Sequence, residues 1–327
     1  MKKKAVFLIQ KKHNLIPFCE AFQSQSIEVF KYENKIHLVR NILWILSFKK
    51  IYFYTPVAEM VLFSIIGIFM RNKFFYFLHE PYMSLKRVGS LRFYVLYNVW
   101  LLICSLGFKY ICLSQEGIKR TKINYSLIIS RIAKNRVPLC LPKIEVNKDK
   151  KFDICMWGSL NHEKGLDRAI MFSKKYPQYS LKILCRKTDY VMSQLKHLKI
   201  SSTGLILDLR DEFITDEEIF NHISSSRIAL LPQRDLNQSA MLPLAWAIGT
   251  PVITSDKGSF KEFVNKDSRF PGGLMVKNNL VDELFIDEIN ECVKEIIYNY
   301  SFFKESAIKA HENFFDPKKY YKELTNG

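Results

Sequence analysis

Eleven short apolar runs, separated mostly by stretches of helix length, constrain this chain more than any other feature. In the first half they fall at 5–9, 27–30, 51–54, 74–78 and 110–113. In the second half they fall at 152–156, 180–185, 203–207, 227–231, 251–254 and 273–276. Amphipathic or apolar segments at 14–25, 35–47, 56–70 and 89–107 fill the gaps of the first half. Runs of this length alternating with helical patterns are the mark of βαβ units and of parallel sheets buried on both faces. The spacing therefore predicts an α/β chain of doubly wound parallel sheets. Two helix starts are marked locally. Thr215-Asp-Glu-Glu218 reads as a capping box before Ile219-Phe220, and Pro56 can open a helix after Thr55.

The alternation breaks at 138–151 (PLCLPKIEVNKDKK), where two prolines precede a run of charge. The charge balance changes there too. Residues 1–150 carry 25 Lys and Arg against 8 Asp and Glu, whereas residues 151–327 carry 24 of each. We expect a linker between two Rossmann-like domains, 1–145 and 146–305, facing each other across a cleft. Helices at 306–327, broken at Pro317, are expected to cross back onto the first domain. Open α/β sheets take ligands at the carboxyl ends of their strands, so this plan suits an enzyme holding one substrate in each half. Seven scattered cysteines without a Cys-x-x-Cys pair read as reduced, buried thiols of a cytosolic protein. The N-terminus begins like a secretory leader, but its apolar run stops at Gln10-Lys-Lys12 and reads better as a first strand. The uncharged apolar stretch 93–108, between Arg92 and Lys109, is sixteen residues, short of the ~20 that cross a bilayer. No membrane span is expected.

Two segments concentrate the chemistry. In 156–170 a strand ends, Gly158 permits a tight turn, and a helix is expected from near Lys164. A helix N-terminus after a glycine turn attracts anions, and Lys164 adds a point charge for a phosphate. A plain βα turn with a surface lysine fits the same residues. In 230–256 a strand leads into a polar loop (233–239), a helix of small residues, Gly249-Thr-Pro251 and another strand. The first N–H groups of that helix need partners. A diphosphate can supply them, and so can Ser239 as the helix's own cap.

Together these segments resemble the C-terminal domain of GT-B glycosyltransferases of the family-four-like group. The matching positions are Gly158, Leu160, Lys164-Gly165, Ala247, Gly249-Thr-Pro-Val-Ile253, Ser255-Asp256 and Glu262. In the first half His79-Glu80 is similar to the family's His-Asp position, and Leu113-Ser-Gln-Glu116 to its strand-Ser-x-Glu segment. The stretch 314–324 is similar to its closing helices. The resemblance implies the GT-B fold and a nucleotide-sugar donor held by Gly158, Ser159, Lys164, Ser239, Ala240, Met241 and Glu262. It also implies a lipid-linked or growing polysaccharide acceptor of capsule, O-antigen or exopolysaccharide type. His79 and Glu80 are then the catalytic pair at the acceptor hydroxyl.

Three positions depart from the pattern. The family's arginine falls on Ser159, and both glutamates of its Glu-x7-Glu pair fall on Leu236 and Leu244. Arg234, Asn237 and Gln238 are expected to take over those polar contacts. The departures leave retention and inversion both open. They also leave an alternative: a non-catalytic relative acting as a sugar-binding or scaffold subunit.

The six histidines other than His79 have no spacing suited to a metal, and no Asp-x-Asp pair is present. Positive groups and helix ends would hold the diphosphate instead, so activity is expected to be metal-independent, with no cofactor. The basic first half calls for a negative partner. Apolar stretches at 57–73 and 86–109 have basic flanks in Arg71, Lys73, Lys86, Arg87 and Arg92, as helices at an anionic membrane surface do. Lys11, Lys12 and His13 join Arg87 and Arg92 on the expected acceptor and membrane side. Most of the apolar residues in those stretches are expected to cover the sheet, leaving a basic rim for the membrane. Nucleic acid is not the expected partner, because the aromatics lie in apolar runs and lysine outweighs arginine. The expected location is cytoplasmic, at the inner face of the cell membrane.

Overall fold

The computed structural model describes residues 4–11, 16–24, 26–53, 60–70, 73–78, 91–124, 136–145, 149–196, 204–235, 239–264 and 269–326. The chain forms two compact units, Met1–Leu141 with Asp316–Gly327, and Pro142–Phe315. The first unit carries 25 Lys and Arg against 8 Asp and Glu, and the second 24 of each.

In the first unit β1 (Ala5–Gln10), β2 (Ile27–Tyr32), β3 (Lys50–Phe53), β4 (Phe74–Leu78) and β5 (Phe108–Cys112) make a parallel sheet in the order β2-β1-β3-β4-β5. Strand β4 reads Phe-Phe-Tyr-Phe-Leu and is buried throughout, because helices cover parallel strands on both sides. Alternate residues serve the two faces. Phe7, Tyr52 and Phe75 stack in series at 4.9 and 5.0 Å on one face. Phe22 joins them at 5.6 Å, and the C-terminal helix Tyr321–Asn326 covers them, with Tyr52 Oη donating to the Leu324 carbonyl at 2.7 Å. On the other face Phe53, Phe74 and Phe108 share a core with Leu38, Ile45, Met60, Phe63, Leu101 and Cys104. Those last six come from the helical segments Lys35–Arg40, Ile42–Leu46, Met60–Phe69 and Leu91–Ser105, so all of these helices lie on that face.

The helix Met60–Phe69 meets the turn after Leu91–Ser105 backbone to backbone. A Cβ on Gly67 would lie 2.5 Å from the Gly107 carbonyl oxygen, and Ser64 Oγ donates to the Ile103 carbonyl at 2.8 Å. Only one side of each helix is buried by the sheet. Outward-facing Leu91, Val95, Val99, Leu102 and Leu106 are 46–63% exposed, and Phe69 is 84% exposed. This corrects the expectation that these stretches chiefly cover the sheet. A helix apolar on every side buries one stripe and leaves the opposite stripe in solvent. Among the described residues no helix is long and apolar enough to cross a membrane. Pro56 lies outside the described residues.

The second unit has β6 (Phe152–Gly158), β7 (Leu181–Arg186), β8 (Leu205–Arg210), β9 (Ser226–Leu231), β10 (Val252–Ser255) and β11 (Gly273–Val276). They form a parallel sheet in the order β11-β10-β9-β6-β7-β8. The capping box expected at 215–218 is present: Thr215 Oγ1 accepts from Glu218 N at 3.2 Å, and Glu218 Oε2 accepts from Thr215 N at 2.9 Å. All seven cysteines are free thiols, six of them buried.

Candidate functional site

The second sheet reverses its winding between β6 and β9. Strand β6 is followed by β7 and β8 on one side, and β9 by β10 and β11 on the other. At such a point the loops leaving the two central strands diverge and open a crevice at their carboxyl ends. The loop segments here are 159–165, after β6, and 232–235 with 239–240, between β9 and the helix Met241–Ala247. They are the two segments that the sequence singles out.

Glycines shape the first loop. Gly158 has φ +103° and Gly165 has φ +75°, backbone conformations that side chains resist. A Cβ at Gly158 would meet nothing within 4 Å, whereas one at Gly165 would lie 2.3 Å from the Pro232 carbonyl oxygen. Gly158 is therefore needed for its dihedral alone, and Gly165 also for the approach of the second loop. Between them Asn161 Oδ1 accepts from Lys164 N at 2.9 Å, closing a turn. The helix Leu166–Lys175 starts after Gly165, two residues later than expected.

A backbone hydrogen bond and a side-chain contact join the loops. Arg234 N donates to the Glu163 carbonyl at 2.8 Å, and Lys164 Nζ reaches Gln233 Oε1 at 3.5 Å. Gln233 is buried and joins three elements. Its carbonyl accepts from Ser255 Oγ at the end of β10, and its Nε2 donates to Ser239 Oγ at 3.3 Å. Ser239 Oγ in turn accepts from Met241 N at 3.2 Å, so Ser239, one residue before the N-cap, satisfies the first N–H of the helix Met241–Ala247. Ala240 precedes that helix in αR conformation without a side-chain cap bond.

Behind the loops lies a charged network. Arg234 donates to Asp167 and twice to Asp282, at 2.7 and 3.0 Å. Arg168, 2% exposed, donates to Asp282 at 2.8 Å and to Asn278, and lies 3.9 Å from the Phe285 ring centroid. The hydrogen bond from Arg234, then that from Arg168, hold the Asp282 carboxyl below the usual range against the opposing effect of burial.

The structure brings Gly158, Ser159, Lys164, Arg234, Ser239, Ala240 and Met241 to these two adjoining loops. Ser159 is exposed. Glu262 is half-buried on the one-turn helix Phe260–Phe263, which follows β10. Arg234 braces the second loop to the helix Leu166–Lys175. His79, Glu80, Lys12, His13, Arg87, Leu236, Asn237 and Gln238 lie outside the described residues. In the first unit Lys11 pairs with Glu33 at 2.7 Å on the surface, and Arg92 is exposed. Ser114 Oγ accepts from Gly117 N at 3.0 Å and caps the helix Gln115–Asn124, while Glu116 pairs with Arg120 at 2.8 Å. A cavity of about 650 Å³ in the second unit, lined by Phe152, Lys182, Asp208, Arg210 and His222, shares no residue with these loops.

Solved structures with this architecture cover almost the whole chain. Anabaena HepE in complex with UDP-glucose superposes with a TM-score of 0.72 at 14% identity, over 98% of each chain. Sucrose-phosphate synthase from Thermosynechococcus elongatus gives 0.66 at 11% identity, over 99% of this chain and 97% of that one. WaaG, a glycosyltransferase involved in lipopolysaccharide biosynthesis, gives 0.63 at 12% identity, over 99% and 100%. The chain has the GT-B fold. No protein-family model and no curated protein matches the sequence.

Within this GT-B fold, sequence reasoning missed Gln233 as a joining residue and Asp167, Asp282, Asn278 and Arg168 as the support behind the loops. A strand-end glutamine and an arginine following Asp167 are weak signals by themselves. Asp282 has no local signal, since its two arginines lie 48 and 114 residues away.

Proposed function

We propose that this protein is a glycosyltransferase that moves a sugar from a nucleotide-sugar donor to a lipid-linked or growing polysaccharide acceptor. The acceptor would be of capsule, O-antigen or exopolysaccharide type, met at the cytoplasmic face of an anionic membrane. The observation that carries the reading is the junction of the two loops at the switch point of the second sheet, with Lys164 at its edge. Support comes from HepE, which shares the architecture end to end and whose solved structure holds UDP-glucose. In this reading the donor diphosphate rests against 158–164 and the start of the helix Met241–Ala247, with Lys164 offsetting its charge. Glu262 lies on the donor side. An acceptor oxygen attacks the anomeric carbon, the bond from that carbon to the diphosphate breaks, and the nucleoside diphosphate leaves. His79 and Glu80 serve the acceptor hydroxyl: one removes its proton if the reaction inverts, and His79 positions it if the reaction retains.

Lys164→Ala is expected to weaken binding of UDP-glucose or another donor by roughly 10–100-fold, as for loss of one charge-assisted hydrogen bond. Isothermal titration of both proteins against a panel of nucleotide sugars checks it, and equal affinities would remove the proposed site. Turnover is expected to survive EDTA, because a lysine and a helix end do the work of a metal in this design. Loss of turnover on chelation, restored by a divalent cation, would contradict it.

One observation favours the non-catalytic alternative. Leu244 stands at a family glutamate position and packs against the apolar core of the second unit. Slow hydrolysis of a nucleotide sugar by the pure protein decides for the enzyme. Donor binding without any hydrolysis or transfer decides for the scaffold.

A further inference from the structure

The four helical segments on one face of the first sheet share an unusual property. Each leaves large apolar side chains exposed on the side away from the sheet. In Leu91–Ser105 and the turn after it, Leu91, Val95, Val99, Leu102 and Leu106 follow the spacing of a single helical stripe, 46–63% exposed, while Tyr97, Leu101 and Cys104 are buried. The neighbouring helix adds Ile65, Ile68 and Phe69, exposed by 53, 43 and 84%. On 35–46, Leu43 and Trp44 are exposed by 82 and 42%. Every exposed large apolar side chain among the described residues of this unit lies on these segments, and fourteen in all do so. A typical monomer's largest apolar patch is roughly 300–600 Å² and often functional, and fourteen such side chains on one helical layer exceed what scattered surface residues explain.

Charge identifies the occupant. Residues 34–115, which hold all four segments, contain ten Lys and Arg against two acids, Glu59 and Glu80. Lys35, Arg40, Lys49 and Arg92 are exposed on or beside these helices. A second copy of the chain would bring two strongly cationic units together, whereas an anionic bilayer satisfies both the apolar stripe and its cationic surroundings. The close approach of Gly67 to Gly107, in the turn after Leu91–Ser105, and the Ser64–Ile103 hydrogen bond hold the two helices close, so the face is presented ready-made. No described helix is long and apolar enough to cross a membrane, so the layer would lie in the interface.

We propose that this helical layer is a docking face that inserts Phe69, Leu96, Leu102 and their neighbours into an anionic bilayer leaflet. The inference gives the membrane of the proposed function a definite contact, and rests on that reading only for its purpose. It differs from adhesion by a basic rim in one measurable way. Salt screens charges, with a Debye length of about 3 Å at 1 M, but leaves apolar insertion in place.

The test is cosedimentation of the full chain with vesicles of phosphatidylglycerol and phosphatidylcholine, and with phosphatidylcholine alone, at 0.15 and 1 M NaCl. The wild type should bind the anionic vesicles in both salts and more weakly to the neutral ones. A triple variant, Phe69→Gln with Leu96→Gln and Leu102→Gln, changes side chains that are 47–84% exposed, so its melting temperature should change little. Its partition coefficient should fall at least tenfold at 0.15 M and vanish at 1 M. Wild-type-like binding by a folded triple variant would overturn the proposal. So would absence of wild-type vesicle binding; if self-association that the triple variant abolishes came with it, the face would join protein to protein. Nucleotide-sugar titration without vesicles separates the two readings: vesicle binding without donor binding sinks the transferase and leaves the docking face standing.

Discussion

Gly165→Ala is expected to lower the melting temperature of the second unit by roughly 6–16 °C and to abolish donor binding. Two costs combine at this position. The φ of +75° places any side chain in the left-handed region, which costs an L-residue about 1–2 kcal/mol. The added methyl would also sit 2.3 Å from the Pro232 carbonyl oxygen. That oxygen belongs to backbone and cannot swing aside, so the two loops must part, and with them the Arg234–Glu163 bond and the Lys164–Gln233 contact. A total of about 3–4 kcal/mol corresponds to that shift for a unit of this size. Gly158→Ala is the control. Its φ of +103° is also strained, but the space around it is open, so only the backbone cost applies and the shift should be distinctly smaller. Differential scanning calorimetry on both variants checks the ranking. Equal shifts would mean that the loop junction is looser than described.

Asp282→Ala is expected to destabilise the second unit by about 3 kcal/mol. The carboxylate accepts from Arg168 Nε at 2.8 Å and from both terminal nitrogens of Arg234. Removing it leaves Arg168, 2% exposed, with a buried charge that has lost its anionic partner. Breaking a buried pair from one side costs ~3–5 kcal/mol, and the partial exposure of Asp282 puts this one at the low end. The acid response has a definite sign. Because Arg234 and Arg168 hold the Asp282 carboxyl below its unfolded value, the unfolded chain binds more protons in acid. The contribution of the pair is thus complete above the unfolded Asp pKa of ~3.9 and drains away as pH falls through the lower folded value. Melting curves of the wild type and Asp282→Asn between pH 3 and 7 should converge in acid and diverge toward neutrality. Parallel curves would show that this carboxylate titrates alike in both states.

These two residues bear on function through the same loops. Gly165 lets the loop after β6 lie against the loop after β9. Asp282 anchors Arg234, whose backbone closes the junction and whose side chain ties it to the helix Leu166–Lys175. Neither needs to touch a ligand. Both fix where Lys164 stands, which is the group the proposed function requires.

The strand pattern was legible because a parallel strand buried on both faces must be apolar throughout, and the runs at 74–78 and 273–276 coincide with β4 and β11 to the residue. The loop between β6 and the following helix was legible because glycine is the residue that accepts positive φ, and Gly158 and Gly165 both adopt it. The capping box at Thr215 was legible for the same kind of reason: its two hydrogen bonds span three residues. The helix start near Lys164 came out two residues late because the turn closed by Asn161 and the approach of Pro232 displace it, and the second of these is a contact across 67 positions.

What the sequence by itself determined is whatever a few consecutive residues decide, strand or helix, turn or cap, and, by simple count, the charge balance of each half. What only the tertiary structure decided is which distant groups meet and which side of a helix faces water. Asp282 joins Arg168 and Arg234, and Gln233 meets Ser255, because strand order and crossovers bring their loops together, and no local spacing encodes that. For Leu91–Ser105 the periodicity is silent, since apolar residues on every side leave no amphipathic stripe to read. Packing against the sheet alone chose Tyr97, Leu101 and Cys104 for the core and left Val95, Val99 and Leu102 outside.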